Sequence, residues 1–310
     1  MQRSYFLLIL LTITLLIAGC KKTDLTPAFL YITEEDLNNC VDVSTFNADH
    51  DLNYDTEQLN DLTKHSFSHV NVYVNNKNLG CWQLPCKVPV LHTSATDSAV
   101  VVLLPAFRKT GMNRTISGYP FFNVLRQKKL LVPGETCNVS DDPPVYKYTP
   151  YAHFPYFETF SNSSSFSPTD TGLSTQCFYP TVVDGRSVGQ IVLNGAGEMF
   201  DVASTGINLP VYNYYVYLEI TYKIENNIDV GLKISTGASP NSVHQIGGIY
   251  PTNGEWKTIY FDISSIIYSY NYTGASVTTA NIVLSGNNNP SLSSTHFEID
   301  NIKVIYQPAS

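Results

Sequence analysis

The dominant periodic signal along the chain is the alternation of apolar and polar positions, the pattern of strands with one buried face. Val70, Val72 and Val74 alternate with polar or aromatic neighbours, Asn75-Asn76-Lys77-Asn78 supplies a hairpin turn, and Leu79-Gly80 begins the return strand. Further strands are predicted over 87–91, 99–104, 119–125, 129–132 and 136–139, with Pro105, Gly111, Gly118 and Pro133-Gly134 between them. Short strands at this spacing predict a small Ig-like β-sandwich. Asp141-Asp142-Pro143-Pro144 and Thr149-Pro150 interrupt the pattern, and a second, larger β domain follows. In it Tyr214, Val216, Leu218, Ile220 and Tyr222 share one face, opposite Tyr215, Tyr217, Glu219 and Thr221. Val230, Leu232 and Ile234 repeat the inward set, as do Ile259, Phe261 and Ile263. In the last strand, 296–306, Phe297 and Ile299 fall on odd positions but Ile302, Val304 and Tyr306 on even ones. A bulge near Asp300-Asn301 is needed to keep both sets inward.

Outside the strands the picture changes twice. Residues 20–66 are rich in Asp, Asn, Thr and Glu and read as a polar tether, in which only 56–62 could form a short helix. Asp49, Asp51, Asn53 and Asp55 place oxygens at alternate positions, but Tyr54 stands where a calcium loop needs Gly and Asn60 where it needs Glu. A solvated acidic linker is the better reading. The first 19 residues join Arg3, an apolar run over 6–16 and the small residues Ala18-Gly19 directly before Cys20. That order reads as a signal segment too short for a membrane span. The domain plan is therefore 1–19 signal segment, 20–66 tether, 67–150 small β domain and 151–310 larger β domain.

Composition narrows the class. With 43% hydrophobic and 14% charged residues the chain is not a disordered one, and 18 basic against 26 acidic side chains, a net charge of −8, exclude a basic nucleic-acid binder. Twenty-one Tyr, 15 Phe, 18 Gly and 17 Pro are the usage of strands and tight turns. The class is all-β.

Candidate chemistry is sparse. There is no G-x-S-x-G, H-E-x-x-H or P-loop pattern, and Asp170-Thr171-Gly172 lacks the second copy an aspartic protease requires. No catalytic residue is assigned and a non-enzymatic role is expected; a carboxylate pair for glycoside cleavage depends on the fold and stays open. A glycan needs flat aromatic faces beside hydrogen-bonding groups, which Tyr215, Tyr217 and Glu219 offer on one strand face, with Tyr260 as a further candidate. The alternative is that a loop or another sheet covers this face and the hydroxyls bond locally. Trp256 and Trp82 read as packing residues. Cys81 and Cys86 flank 82–85 closely enough for a local disulfide; a zinc site there would lack a second ligand pair, since His69 and His92 are isolated.

Several segments carry resemblances. Small residues followed at once by Cys20 resemble a bacterial lipobox, which implies a lipidated Cys20, a membrane anchor and an odd set of five remaining cysteines. Tyr156-Phe157-Glu158, Leu218-Glu219-Ile220-Thr221-Tyr222, Trp256-Lys257-Thr258-Ile259-Tyr260-Phe261-Asp262-Ile263 and Phe297-Glu298-Ile299-Asp300-Asn301-Ile302-Lys303-Val304 look like a jelly-roll module of the carbohydrate-binding, galactose-binding-like type. The stretch from Val70-Asn71-Val72-Tyr73-Val74 through Leu84-Pro85 and Val88-Pro89-Val90 to Pro133-Gly134 resembles the small β domain that precedes such modules in outer-membrane lipoproteins of Bacteroidota. The resemblance implies a small Ig-like β-sandwich followed by a larger jelly-roll β-sandwich, lipid-anchored at the outer membrane on either its periplasmic or its external face. It implies a glycan or similar polar ligand or, as the alternative, an interaction subunit of a secretion, motility or nutrient-uptake complex. It also implies a structural Ca2+ held by Glu158 and Asp300. Asp97-Ser98-Ala99 resembles the O-glycosylation acceptor of exported Bacteroidota proteins, with Ser98 as the modified residue.

Overall fold

A computed structural model describes residues 26–91, 96–109, 115–169, 172, 174–235, 242–274 and 276–309. Cys20 and the signal segment lie outside the described residues, as do His92, Gly111, Asp170 and Thr171. The first β domain contains β1 (Ala28–Ile32), β2 (His69–Val74), β3 (Lys77–Gln83), β4 (Cys86–Val90), β5 (Ser98–Arg108), β6 (Ile116–Gly118), β7 (Gln127–Leu130) and β8 (Thr136–Asn138). The second contains β9 (His153–Glu158), β10 (Phe166–Pro168), β11 (Tyr179–Val183), β12 (Arg186–Leu193), β13 (Met199–Ser204), β14 (Ile207–Pro210), β15 (Tyr214–Ile224), β16 (Ile228–Ser235), β17 (Ser242–Ile249), β18 (Lys257–Asp262), β19 (Val277–Asn287) and β20 (Thr295–Pro308).

In the first domain a sheet of order β4-β1-β8 faces one of order β3-β2-β5-β6, with β7 also on β5. The β2–β3 hairpin turns through Asn75 and Asn76, both at positive φ (50° and 64°), the left-handed pair of a two-residue turn that asparagine tolerates. The expected tether is largely structure. β1 is the central strand of its sheet, because Ala28, Leu30 and Ile32 alternate inward, and Leu37, Phe46 and Leu62 join the same core. The apolar run is five residues long inside a polar stretch, which hides it from a composition reading. Within the same stretch, Thr56–Leu62 is a helix as expected, capped by a reciprocal Asp55/Gln58 box. The 49–55 segment continues the short helix Phe46–His50 into a left-handed Asp51 and forms part of the folded domain. The strand expected over 119–125 is irregular; Tyr119, Phe121 and Phe122 are buried, and Phe122 makes only an isolated bridge to Tyr148.

The second domain packs a sheet of order β10-β13-β19-β16-β17, with β14 on β19, against one of order β11-β12-β20-β15-β18, with β9 on β20. Between them lie Val216, Leu218, Ile220, Val230, Leu232, Ile234, Ile259, Phe261, Phe297, Ile299, Ile302 and Val304, the inward positions the alternation marks, together with Ile282 and Leu284 of β19. The bulge is present. Thr221 pairs with Asn301 and Tyr222 with Ile299, so Asp300 is the extra residue, and Phe297, Ile299, Ile302 and Val304 all remain buried.

Candidate functional site

The face of β15 that carries Tyr215, Tyr217 and Glu219, with Tyr260 beside it on β18, is the expected glycan platform, and the first domain covers it. Tyr217 is 1% exposed, Glu219 0% and Tyr260 1%, and Tyr215 is half-buried against the first domain's core. The reason is a long aromatic contact that a single strand cannot announce. Phe67, Phe107, Tyr119 and Phe121 of the first domain meet Tyr217 or Tyr260 edge-on, tilted or stacked, with ring centroids 4.4–5.9 Å apart. The hydroxyls bond locally: the Ser66 amide donates to the Tyr260 oxygen (3.0 Å), and His65 Nδ1 lies 3.2 Å from the same oxygen. The residues chosen for ligand binding thus belong to the seam between domains.

That seam has a charged centre. Glu219 and Lys303, directly opposite on β15 and β20, are both fully buried with Oε2 and Nζ 3.1 Å apart, and Tyr119 donates its hydroxyl to Glu219 Oε1 at 2.7 Å. Burial works against the Lys303 charge, but the Glu219 carboxylate outweighs it and holds the ammonium above the usual lysine range. Burial, reinforced by Lys303, drives His65 well below the usual histidine range, so the ring is neutral. Around this centre Thr149 donates to Gln307 Oε1 (2.7 Å), Gln307 donates to the Pro120 carbonyl (2.7 Å), and Lys109 pairs with Asp262 (2.6 Å).

Asp300 and Glu158, the pair the resemblance assigns to Ca2+, serve separate structures. The bulge turns the buried Asp300 carboxylate to Lys64 of the first domain (2.9 Å) and Arg186 (2.6 Å). Two cations already neutralise it, which opposes a third. Glu158 accepts the amides of Phe160 (2.8 Å) and Ser165 (2.7 Å) and closes the loop after β9. Among the described residues no group of three or more His, Cys, Asp or Glu side chains is placed to hold a metal ion. Cys81 and Cys86 are free thiols in this structure, one exposed near the end of β3 and one buried at the start of β4. Ser98 is exposed at the start of β5.

Beside the seam the domains leave a cleft. A cavity of about 520 Å³ is lined by Asn38, Ser66, Arg108, Trp256 and Lys257 among others, and a second of about 170 Å³ continues past Trp256 to Lys64 and Arg186. Trp256 is half-buried; its Nε1 donates to Asp184 (3.1 Å), and the Arg186 and Lys223 cations lie 5.0 and 5.1 Å from its ring centroid. From the sequence Trp256 reads as a packing residue and Asn38 and Ser66 as parts of a tether, which leaves this site unseen. The one signal was Gly254-Glu255-Trp256, a large ring on a turn.

No family model matches the chain, and no curated protein does. Solved structures similar to it include a xylan-binding domain of carbohydrate-binding module family 22, at 15% identity over 51% of this chain and 97% of that one, with a TM-score of 0.32. A mannan-recognising module, TmCBM27, is similar at 12% identity over 51% and 99% of the two chains, with a TM-score of 0.28. A protein of infectious bursal disease virus, Gx strain, is similar at 9% identity over 94% of this chain and 53% of that one, also with a TM-score of 0.28. At these scores none of the three likenesses bears on a ligand.

Proposed function

We propose that the protein is a non-enzymatic, lipid-anchored cell-envelope protein that binds a glycan in the cleft between its two β domains. The observation that carries this reading is the cleft itself: an open cavity of about 520 Å³ in which the Trp256 ring lies beside amide, hydroxyl and guanidinium groups from both domains. Sugar rings present apolar C–H patches and polar rims, and such a surface meets both. The anchor at Cys20 keeps the place given it by the residues before it, with the membrane face open. Affinity electrophoresis through gels containing soluble polysaccharides tests the site. Retardation of the wild type and its loss in Trp256→Ala and Arg108→Ala are expected. Equal retardation of both variants would move the ligand elsewhere, and no retardation by any polysaccharide would leave the interaction-subunit reading.

A further inference from the structure

The centre of the seam carries more than an ion pair needs. Glu219 and Lys303 face each other across adjacent strands, each 0% exposed, with Oε2 and Nζ 3.1 Å apart but not aligned as a hydrogen bond, and the Tyr148 side chain is the other polar group beside the ammonium. A dry pair with so little compensation is costly, because the attraction must offset the desolvation of both charges. The same closeness, enforced by two strands, is a near-attack arrangement of an amine and a carboxyl group. Tyr119 donates to the other carboxylate oxygen at 2.7 Å, and the rings of Tyr148, Tyr260 and His65 close the site. We propose that Glu219 and Lys303 are joined by an intramolecular amide that cross-links β15 to β20.

The reaction is a condensation and needs no oxidant, reductant or added group. A proton passes from Lys303 Nζ to Glu219 Oε2, leaving a neutral amine and a carboxylic acid. The Nζ lone pair attacks Glu219 Cδ, and the Tyr119 hydroxyl stabilises the charge that develops on Oε1. The Cδ–Oε2 bond then breaks, and Oε2 departs as water with the transferred proton and one hydrogen from Nζ. One C–N bond replaces one C–O bond, and two buried charges become one neutral amide.

Tryptic mapping of the denatured full chain decides the matter. Trypsin does not cut after an acylated lysine, so the amide predicts a branched peptide joining residues 187–223 to residues 258–310, lighter than its two parts by one water. Lys303→Met is expected to abolish the branch. Recovery of 187–223 as a separate peptide together with cleavage after Lys303 would overturn the proposal, as would a branch that survives in Lys303→Met. Because the first measurement is made on the wild type, a variant that fails to fold does not blunt it.

Discussion

Within the sheet β11-β12-β20-β15-β18, strands β15 and β20 are buried on both faces, by different means. Its inner face sets Val216, Leu218, Ile220, Ile302 and Val304 against the second sheet, an apolar contact that asks mainly for volume and shape. Its outer face sets Tyr217, Glu219, Lys303 and Gln307 against the first domain, where partners are specific: Ser117 beside the Tyr217 hydroxyl, Tyr119 on Glu219, Thr149 and Pro120 on Gln307. An apolar face stabilises whatever covers it. A face of this second kind stabilises one neighbour in one position, because each polar group left without its counterpart is penalised.

The sharpest way to break this contrast is to cut one residue from each face. Glu219→Ala strands a buried lysine and is expected to cost about 3–5 kcal/mol in urea unfolding, with faster proteolysis in the exposed stretch near Tyr151. Leu218→Ala, its neighbour on the inner face, is expected to cost about 2–5 kcal/mol through the cavity it leaves, without that increase in cleavage between the domains. A silent Glu219→Ala would mean that the seam is not sealed as described. Smaller and dependent on pH is the contribution of Asp61, which burial and the nearby Asp300 push up to about 6. A carboxyl whose pKa is higher folded than unfolded stabilises most at low pH, and that contribution is lost as pH rises through about 6. Asp61→Asn should therefore flatten the stability profile between pH 4 and 7, by on the order of 2 kcal/mol relative to the wild type; parallel profiles would assign the titration to another group. The smallest change is Tyr260→Phe, which keeps the ring stack but removes the acceptor for the Ser66 amide, at about 1 kcal/mol by the same unfolding measurement.

The two faces also separate what was legible in the sequence from what was not. Period-two alternation located most of the inner face, and the break in phase located the bulge near Asp300-Asn301, because a pleat leaves no other way to bury Phe297 and Val304 together. The outer face showed equally clear alternation, and its aromatic and polar character was visible. What it meets is a property of Phe107, Tyr119 and Phe121, some 100 residues earlier in the chain, and alternation within a strand does not say what packs on its faces. Tyr217 and Glu219 were chosen for a ligand by chemistry that a neighbouring domain satisfies as well as a sugar would. Trp256, on a turn, carried no periodic signal at all.

The position of β1 has a practical consequence. A version of the protein trimmed to begin at residue 67, where the alternation first becomes continuous, would not lose a dispensable leader. It would take out the middle strand of a three-stranded sheet and leave β4 and β8 with no partner in it, since each pairs only with β1 in that sheet. Recombinant versions should therefore start no later than Thr26.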